Sequence, residues 1–196
     1  MNRTFLRHIH LTVILAVMLT AFAACIEDSI STSPADQPEF STDTLRFGTQ
    51  YSDEVTPTMM LMVYNRHDKV MSISDISIEG DDGVFRLNVD GFSGTRFSGV
   101  EIRPNDSIYV LVSARFPTNG DFEPARVDRT LTFTTNGVTR KVVLTAESQD
   151  VERLTDPVIT ADTRWRPTHP RRIYGRLTVA PGATLTLEAG TTLLFH

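Results

Sequence analysis

Between Asp43 and about Gln149, apolar residues recur at every second position, the spacing of strands that bury one face and wet the other. Leu45 and Phe47 alternate with polar neighbours, Met59 to Tyr64 form a continuous apolar run, and Phe85, Leu87 and Val89 alternate again. The cleanest stripe is Ile108, Val110, Val112, Ala114 and Phe116. Met71 and Ile73 are followed by Ile76 and Ile78, a one-residue change of phase that predicts a β-bulge. Val100 and Ile102 make a short piece before the turn signal Pro104-Asn105-Asp106. Leu131 and Phe133 lead through Asn136-Gly137, a hairpin turn, into Val142, Leu144 and Ala146. About eight short strands without a helical period predict an all-β fold, with a β-sandwich over 43–149.

On either side of that block the pattern changes. Residues 26–42 are rich in Ser, Thr, Pro and acidic residues, the composition of a flexible tether. Residues 150–172 are polar, then basic and proline-broken (Arg164-Trp165-Arg166-Pro167, His169-Pro170-Arg171-Arg172), and predict a connector. From Leu177 the sequence repeats with a period of eight: LTVAPGAT, then LEAGTT within LTLEAGTT, with Leu193 opening a third copy. Gly182 and Gly190 fall in register, as do Leu177, Leu185 and Leu193. Short strands with glycine turns at a fixed period predict a stacked solenoid, with 173–196 as its first, incomplete coil. A solenoid normally needs about three repeats to bury its apolar face, so the expected natural protein continues past His196. The plainer alternative is a short hairpin packed back on the sandwich.

Two resemblances rest on these residues. Leu45-x-Phe47-Gly48, Val63-x-Asn65, Phe85, Ile102-x-Pro104-x-Asp106-Ser107, Phe116-Pro117, Thr135-Asn136 and Val143-Leu144-x-Ala146 resemble the immunoglobulin-like domains of the major sperm protein and Hydin type. Such domains are adaptors and spacers in unrelated proteins, so the resemblance implies a fold and little chemistry. Ile173-Tyr174-Gly175-x-Leu177, Gly182-Ala183-Thr184-Leu185 and Gly190-Thr191 resemble the opening coil of right-handed parallel β-helix proteins.

Residues 1–24 read as a signal peptide. Arg3 and Arg7 supply a positive start, Leu11 to Leu19 a short apolar run, and Ala21-Phe22-Ala23-Ala24 leads into Cys25. The run is short of the roughly 20 residues that cross a bilayer core. Ala23-Ala24-Cys25 resembles the lipobox of bacterial lipoproteins, with Phe22 where Leu is usual. The resemblance implies lipid on the Cys25 thiol, cleavage before it and anchoring in the outer membrane of a Gram-negative bacterium. The alternative is an ordinary secreted protein cut near Ala24. Glu27 and Asp28 resemble the surface-export signal of some Gram-negative lipoproteins, and equally suit a solvated tether.

Composition narrows the function classes. The 196 residues are 40% apolar and 22% charged, ordinary for a folded domain. The net charge is −5, and about −7 once Arg3 and Arg7 leave with the leader, which gives no general attraction to nucleic acid. A single cysteine excludes an internal disulfide and a Cys-based zinc site. His67, His169 and His196 lie far apart without metal-ligand spacing, and Asp81-Asp82-Gly83 reads as a turn, so no metal or cofactor is expected. No nucleophile, phosphate-loop or dinucleotide motif is present.

Two weaker candidates remain. Trp165, Arg166 and Arg171 form a basic, aromatic patch that can stack on and pair with an acidic glycan; its plainer role is to cover a solenoid end or a domain joint. Asp28-Ser29-Ile30, Asp43-Thr44-Leu45 and Asp106-Ser107-Ile108 resemble the envelope O-glycosylation signal of some gut bacteria, which implies modification at Ser29, Thr44 or Ser107. The expected function is a non-catalytic envelope lipoprotein, held in the membrane by Cys25, that acts as spacer and as binding or scaffold module toward a glycan or another envelope protein. The alternative is the anchoring part of a polysaccharide lyase-like β-helix enzyme whose active site lies beyond His196.

Overall fold

The structure, a computed structural model, describes residues 29–120 and 122–196. The expected signal peptide, Cys25 and the Glu27-Asp28 pair lie outside the described residues. Within them the fold is all-β, without a helix.

Eleven strands build the first unit: β1 (Glu39–Phe40), β2 (Thr44–Tyr51), β3 (Met59–Tyr64), β4 (Met71–Glu79), β5 (Phe85–Val89), β6 (Phe92–Gly94), β7 (Arg96–Phe97), β8 (Val100–Ile102), β9 (Ser107–Ala114), β10 (Ala125–Thr135) and β11 (Val138–Gln149). One sheet has the order β1-β3-β9-β5-β6; the other has β2-β11-β10-β4-β7, with β8 also paired to β4. Alternation in the sequence becomes alternation in burial, cleanest in β9, where Ile108, Val110, Val112 and Ala114 are buried and their neighbours are not. These side chains meet Leu45, Ile73, Ile76, Leu131, Phe133 and Leu144 of the second sheet in one shared apolar core. Each fully buried Leu, Ile or Phe contributes about 1.5–3 kcal/mol, so this layer holds the two sheets together. Phe85 meets Phe116 edge-on, with ring centroids 5.8 Å apart.

The phase change in β4 is a bulge. Thr134 faces Asp75 while Thr135 faces Ile73, so Ser74 is the extra residue, and both Ile73 and Ile76 reach the core. Asn136-Gly137 closes a two-residue turn between Thr135 and Val138. Asp90-Gly91 closes a second between Val89 and Phe92. Strand β2 joins its sheet in parallel to β11, Leu45 beside Leu144.

Residues 29–42, expected as a flexible tether, lie against this unit. The Ser31 N–H donates to the Val70 carbonyl (2.8 Å) and the Val70 N–H donates to the Ser29 carbonyl (3.1 Å), while β1 adds an edge to β3. Phe40 packs on Phe133, ring centroids 4.8 Å apart. Low hydrophobicity hid this docking, because backbone pairing and one aromatic supply it.

The stretch 150–172, expected as a connector, holds β12 (Glu152–Thr155), β13 (Val158–Ile159) and β14 (Thr163–Trp165). They are followed by β15 (Arg171–Tyr174), β16 (Thr178–Val179), β17 (Leu185–Leu187) and β18 (Leu193–Phe195). Pairing is parallel throughout: β12-β15-β18, β13-β16 and β14-β17. Register partners Glu152/Arg171, Val158/Thr178, Thr163/Leu185 and Arg171/Leu193 are 19, 20, 22 and 22 positions apart, so the chain makes a three-sided circuit and returns over itself. The eight-residue repeat is therefore one side of a circuit, and the circuit starts before the repeat is visible. At two corners the Ala183 N–H donates to the Ala180 carbonyl and the Thr191 N–H to the Glu188 carbonyl, each across a positive-φ glycine (Gly182, Gly190) as such a turn requires.

Candidate functional site

Strand β15 runs along the joint between the two units, and its alternation splits the basic run between two faces. Arg171 and Ile173 are buried inside the circuits, while Arg172 and Tyr174 face the sandwich.

Outward, Arg172 Nε lies 2.9 Å from Oε1 of Glu54, in the loop after β2, and the Tyr174 hydroxyl donates to the same oxygen. Arg153 Nε stands 3.9 Å away from it, and the Arg172 guanidinium lies over the Tyr51 ring, 4.5 Å from its centroid. Beside this cluster a solvent-open recess of about 640 Å³ is lined by Tyr51, Glu54, Pro57, Arg172, Tyr174 and His196. A second tie closes the joint: Phe122, whose carbonyl accepts from Gln149 Nε2 at 2.8 Å, packs on the His169 ring, centroids 4.7 Å apart.

Inward, Arg171 is 7% exposed and lies over Trp165, 5.0 Å from the ring centroid. Its Nη1 donates to the Arg166 carbonyl at 3.1 Å. Its Nε is 2.8 Å from Glu152 Oε2, a close ion pair without the directed geometry of a hydrogen bond. His169 Nε2 meets the same oxygen at 2.8 Å. A guanidinium buried in this way is stable because its charge and its face both have partners.

Of the three candidate glycan contacts, the structure thus turns Arg171 inward, half-buries Trp165 and leaves Arg166 exposed. Arg166 and Arg164 share Glu188, at 3.8 and 3.4 Å. Sequence reasoning found the arginines and missed the acids: Glu54, Glu152 and Glu188 sit 118, 19 and 24 positions from the bases they pair with.

Of the candidate O-glycosylation sites, Ser29 and Ser107 lie at one end of the sandwich, while Thr44 stands about halfway along β11. Ser29 pairs its carbonyl to Val70, Thr44 opens β2 opposite Val143, and Ser107 opens β9 opposite Tyr64. Ser29 is exposed and the other two are half-buried. Among the described residues, no group of three or more His, Cys, Asp or Glu is placed to share a metal ion.

No family model matches the sequence, and no curated protein matches it. The structure is similar to a protein of unknown function from Porphyromonas gingivalis W83, at 12% identity and TM-score 0.43, over 64% of this chain and 50% of that one. It is also similar to a family 123 glycoside hydrolase from Clostridium perfringens (9%, TM-score 0.40, 64% and 26% of the two chains). The Escherichia coli chaperone DraB is a third such structure (8%, TM-score 0.37, 58% and 55%). The chain spans half or less of the first two.

Proposed function

We propose that this chain is a non-catalytic cell-envelope lipoprotein, anchored through lipid on Cys25, that carries a binding or scaffold module away from the membrane. In this reading 43–149 is an immunoglobulin-like spacer of the major sperm protein and Hydin type, and the parallel circuits open a right-handed β-helix. One observation supports it most: the segment after Cys25 and the circuits attach at opposite ends of the sandwich. Ile30 pairs with Val70, beside the start of β4, whereas Glu54, just after β2, pairs with Arg172, and Phe122, held by Gln149 at the end of β11, packs on His169 of the circuits.

The candidate glycan contact becomes the exposed Arg166 beside Trp165. Modification of Ser29, Thr44 or Ser107 belongs to the same reading, and an intact mass showing only lipid and peptide removes it. Anchoring in the outer membrane is tested by globomycin-sensitive lipid labelling of wild type against Cys25→Ala, with protease shaving of intact cells. Label lost in the variant establishes the anchor, and shaving reports the surface. Absence of label in the wild type overturns the reading.

A further inference from the structure

We propose that one end of the sandwich, built from the β3–β4 loop, the Asn136-Gly137 turn and the Pro104-Asn105 turn, lies against the lipid headgroups with the strands pointing away from the bilayer. This deepens the lipoprotein reading and rests on it.

The argument begins with the strap. Besides the paired Ser29–Ser31 and Val70 backbones, Asn136 Nδ2 donates to the Ser33 carbonyl (2.9 Å) and Gln37 Nε2 to the Thr135 carbonyl (3.0 Å). Asp36 accepts from the buried Ser31 hydroxyl and lies 3.4 Å from His67 Nδ1. The Ser41 N–H donates to the Met62 carbonyl at 3.0 Å. From residue 29 onward the chain is therefore part of the folded body, stitched to three separate elements at one end.

The second step is length. Four Cα steps separate Cys25 from Ser29, and at most about 3.6 Å per residue limits that reach to roughly 14 Å in any conformation. The β10–β11 hairpin beside it, 11 and 12 residues long, extends on the order of 35 Å. A body longer than twice its leash, held at one end, cannot stand inverted, far end down and near end lifted off the bilayer, without breaking the strap; lying flat would bring both ends equally close. The end itself suits a headgroup layer: Ile30 is 50% exposed there, among exposed Arg66, Asp68, Lys69 and Asp106 of both signs. Mixed signs fit zwitterionic headgroups better than a purely anionic surface.

The test uses the full lipidated chain in phosphatidylethanolamine–phosphatidylglycerol vesicles containing a headgroup-bound quencher. Because Cys25 is the one cysteine and would be blocked by lipid, Asp68→Cys and Thr118→Cys each carry a single dye, at the near and far ends. Lys69→Cys replaces the near-end variant if Asp68→Cys does not fold. Quenching at the near end at least five-fold above the far end is the expected result, and inserting twenty Gly/Ser residues after Asp28 should erase the difference. Equal quenching at both ends, on protein whose intact mass shows lipid on Cys25, overturns the orientation and leaves the anchor standing. An intact mass without lipid overturns both.

Discussion

Glu54 and Arg172 are 118 positions apart in sequence and 2.9 Å apart in space, and their ion pair fastens the circuits to the sandwich. Both side chains are mostly shielded, 27% and 15% exposed, and the Tyr174 hydroxyl converges on the same carboxylate oxygen. The joint is thus a shared acceptor with several donors rather than a flexible hinge.

Removing that acceptor leaves Arg172 and Tyr174 facing each other without a counter-charge. Glu54→Ala should cost about 2 kcal/mol, and Glu54→Gln less, because the amide oxygen still accepts. Hydrogen exchange should rise across β12, β15 and β18 while β9 and β10 keep their protection. Uniform loosening of both units would contradict this.

A second prediction concerns the first corner of the circuits. Asp156 Oδ1 accepts the Arg176 N–H at 2.9 Å, and a Cβ added at Gly175 would stand 2.2 Å from that oxygen, at φ +80°. Gly175→Ala should destabilise by about 1–3 kcal/mol. In Asp156→Ala the added methyl should cost less, since only the backbone strain remains. A double-mutant cycle by urea unfolding measures the difference.

Asn65 is fully buried at the near end, and its Nδ2 serves the carbonyls of Lys69, Ile102 and Arg103 at 2.8–3.0 Å while Oδ1 accepts the His67 N–H. Asn65→Ala strands several buried backbone groups, for an expected loss of about 2–3 kcal/mol. Thermal unfolding checks it, with Asn65→Asp expected to fail similarly because it cannot donate.

Acid stability follows from Asp75. The hydrogen bond from the Ser77 hydroxyl, resisted by partial burial and reinforced by Arg96, holds its carboxyl below the ordinary aspartate range. A folded pKa below the unfolded one, about 3.9, means the contribution is present above that value and lost as pH falls through the folded one. The Tm gap between wild type and Asp75→Asn should be open at pH 6 and close below about pH 4. A gap independent of pH would show that the charge plays no part.

Much of the sandwich was legible because each strand writes its own burial: Leu45 and Phe47, the β9 stripe and the Ile73–Ile76 phase change need only neighbouring residues to be read. The circuits were half legible. Gly182 and Gly190 advertise their turns, but beside Ile173 the circuits bury Arg171 against Trp165, and a buried guanidinium paired with Glu152 looks like surface in a sequence. The strap was not legible, since backbone groups with Ser, Asp, Gln and Asn side chains hold it, and these are the residues of ordinary loops. At the joint, the bases were visible and their acids were not, because nothing local links Arg172 to Glu54.

The parallel seat of β2 beside β11 has a consequence for the order of assembly. Leu45 and Leu144 are neighbours in the sheet yet 99 positions apart, so a chain emerging from its N-terminus exposes Leu45 and Phe47 long before their partner strand exists. Closing that loop late makes formation of this sheet the slow, non-local event, whereas the circuits, whose partners are about twenty residues apart, can wind quickly. Until β11 arrives, β2 has no partner in its sheet and Leu45 lacks its neighbour Leu144.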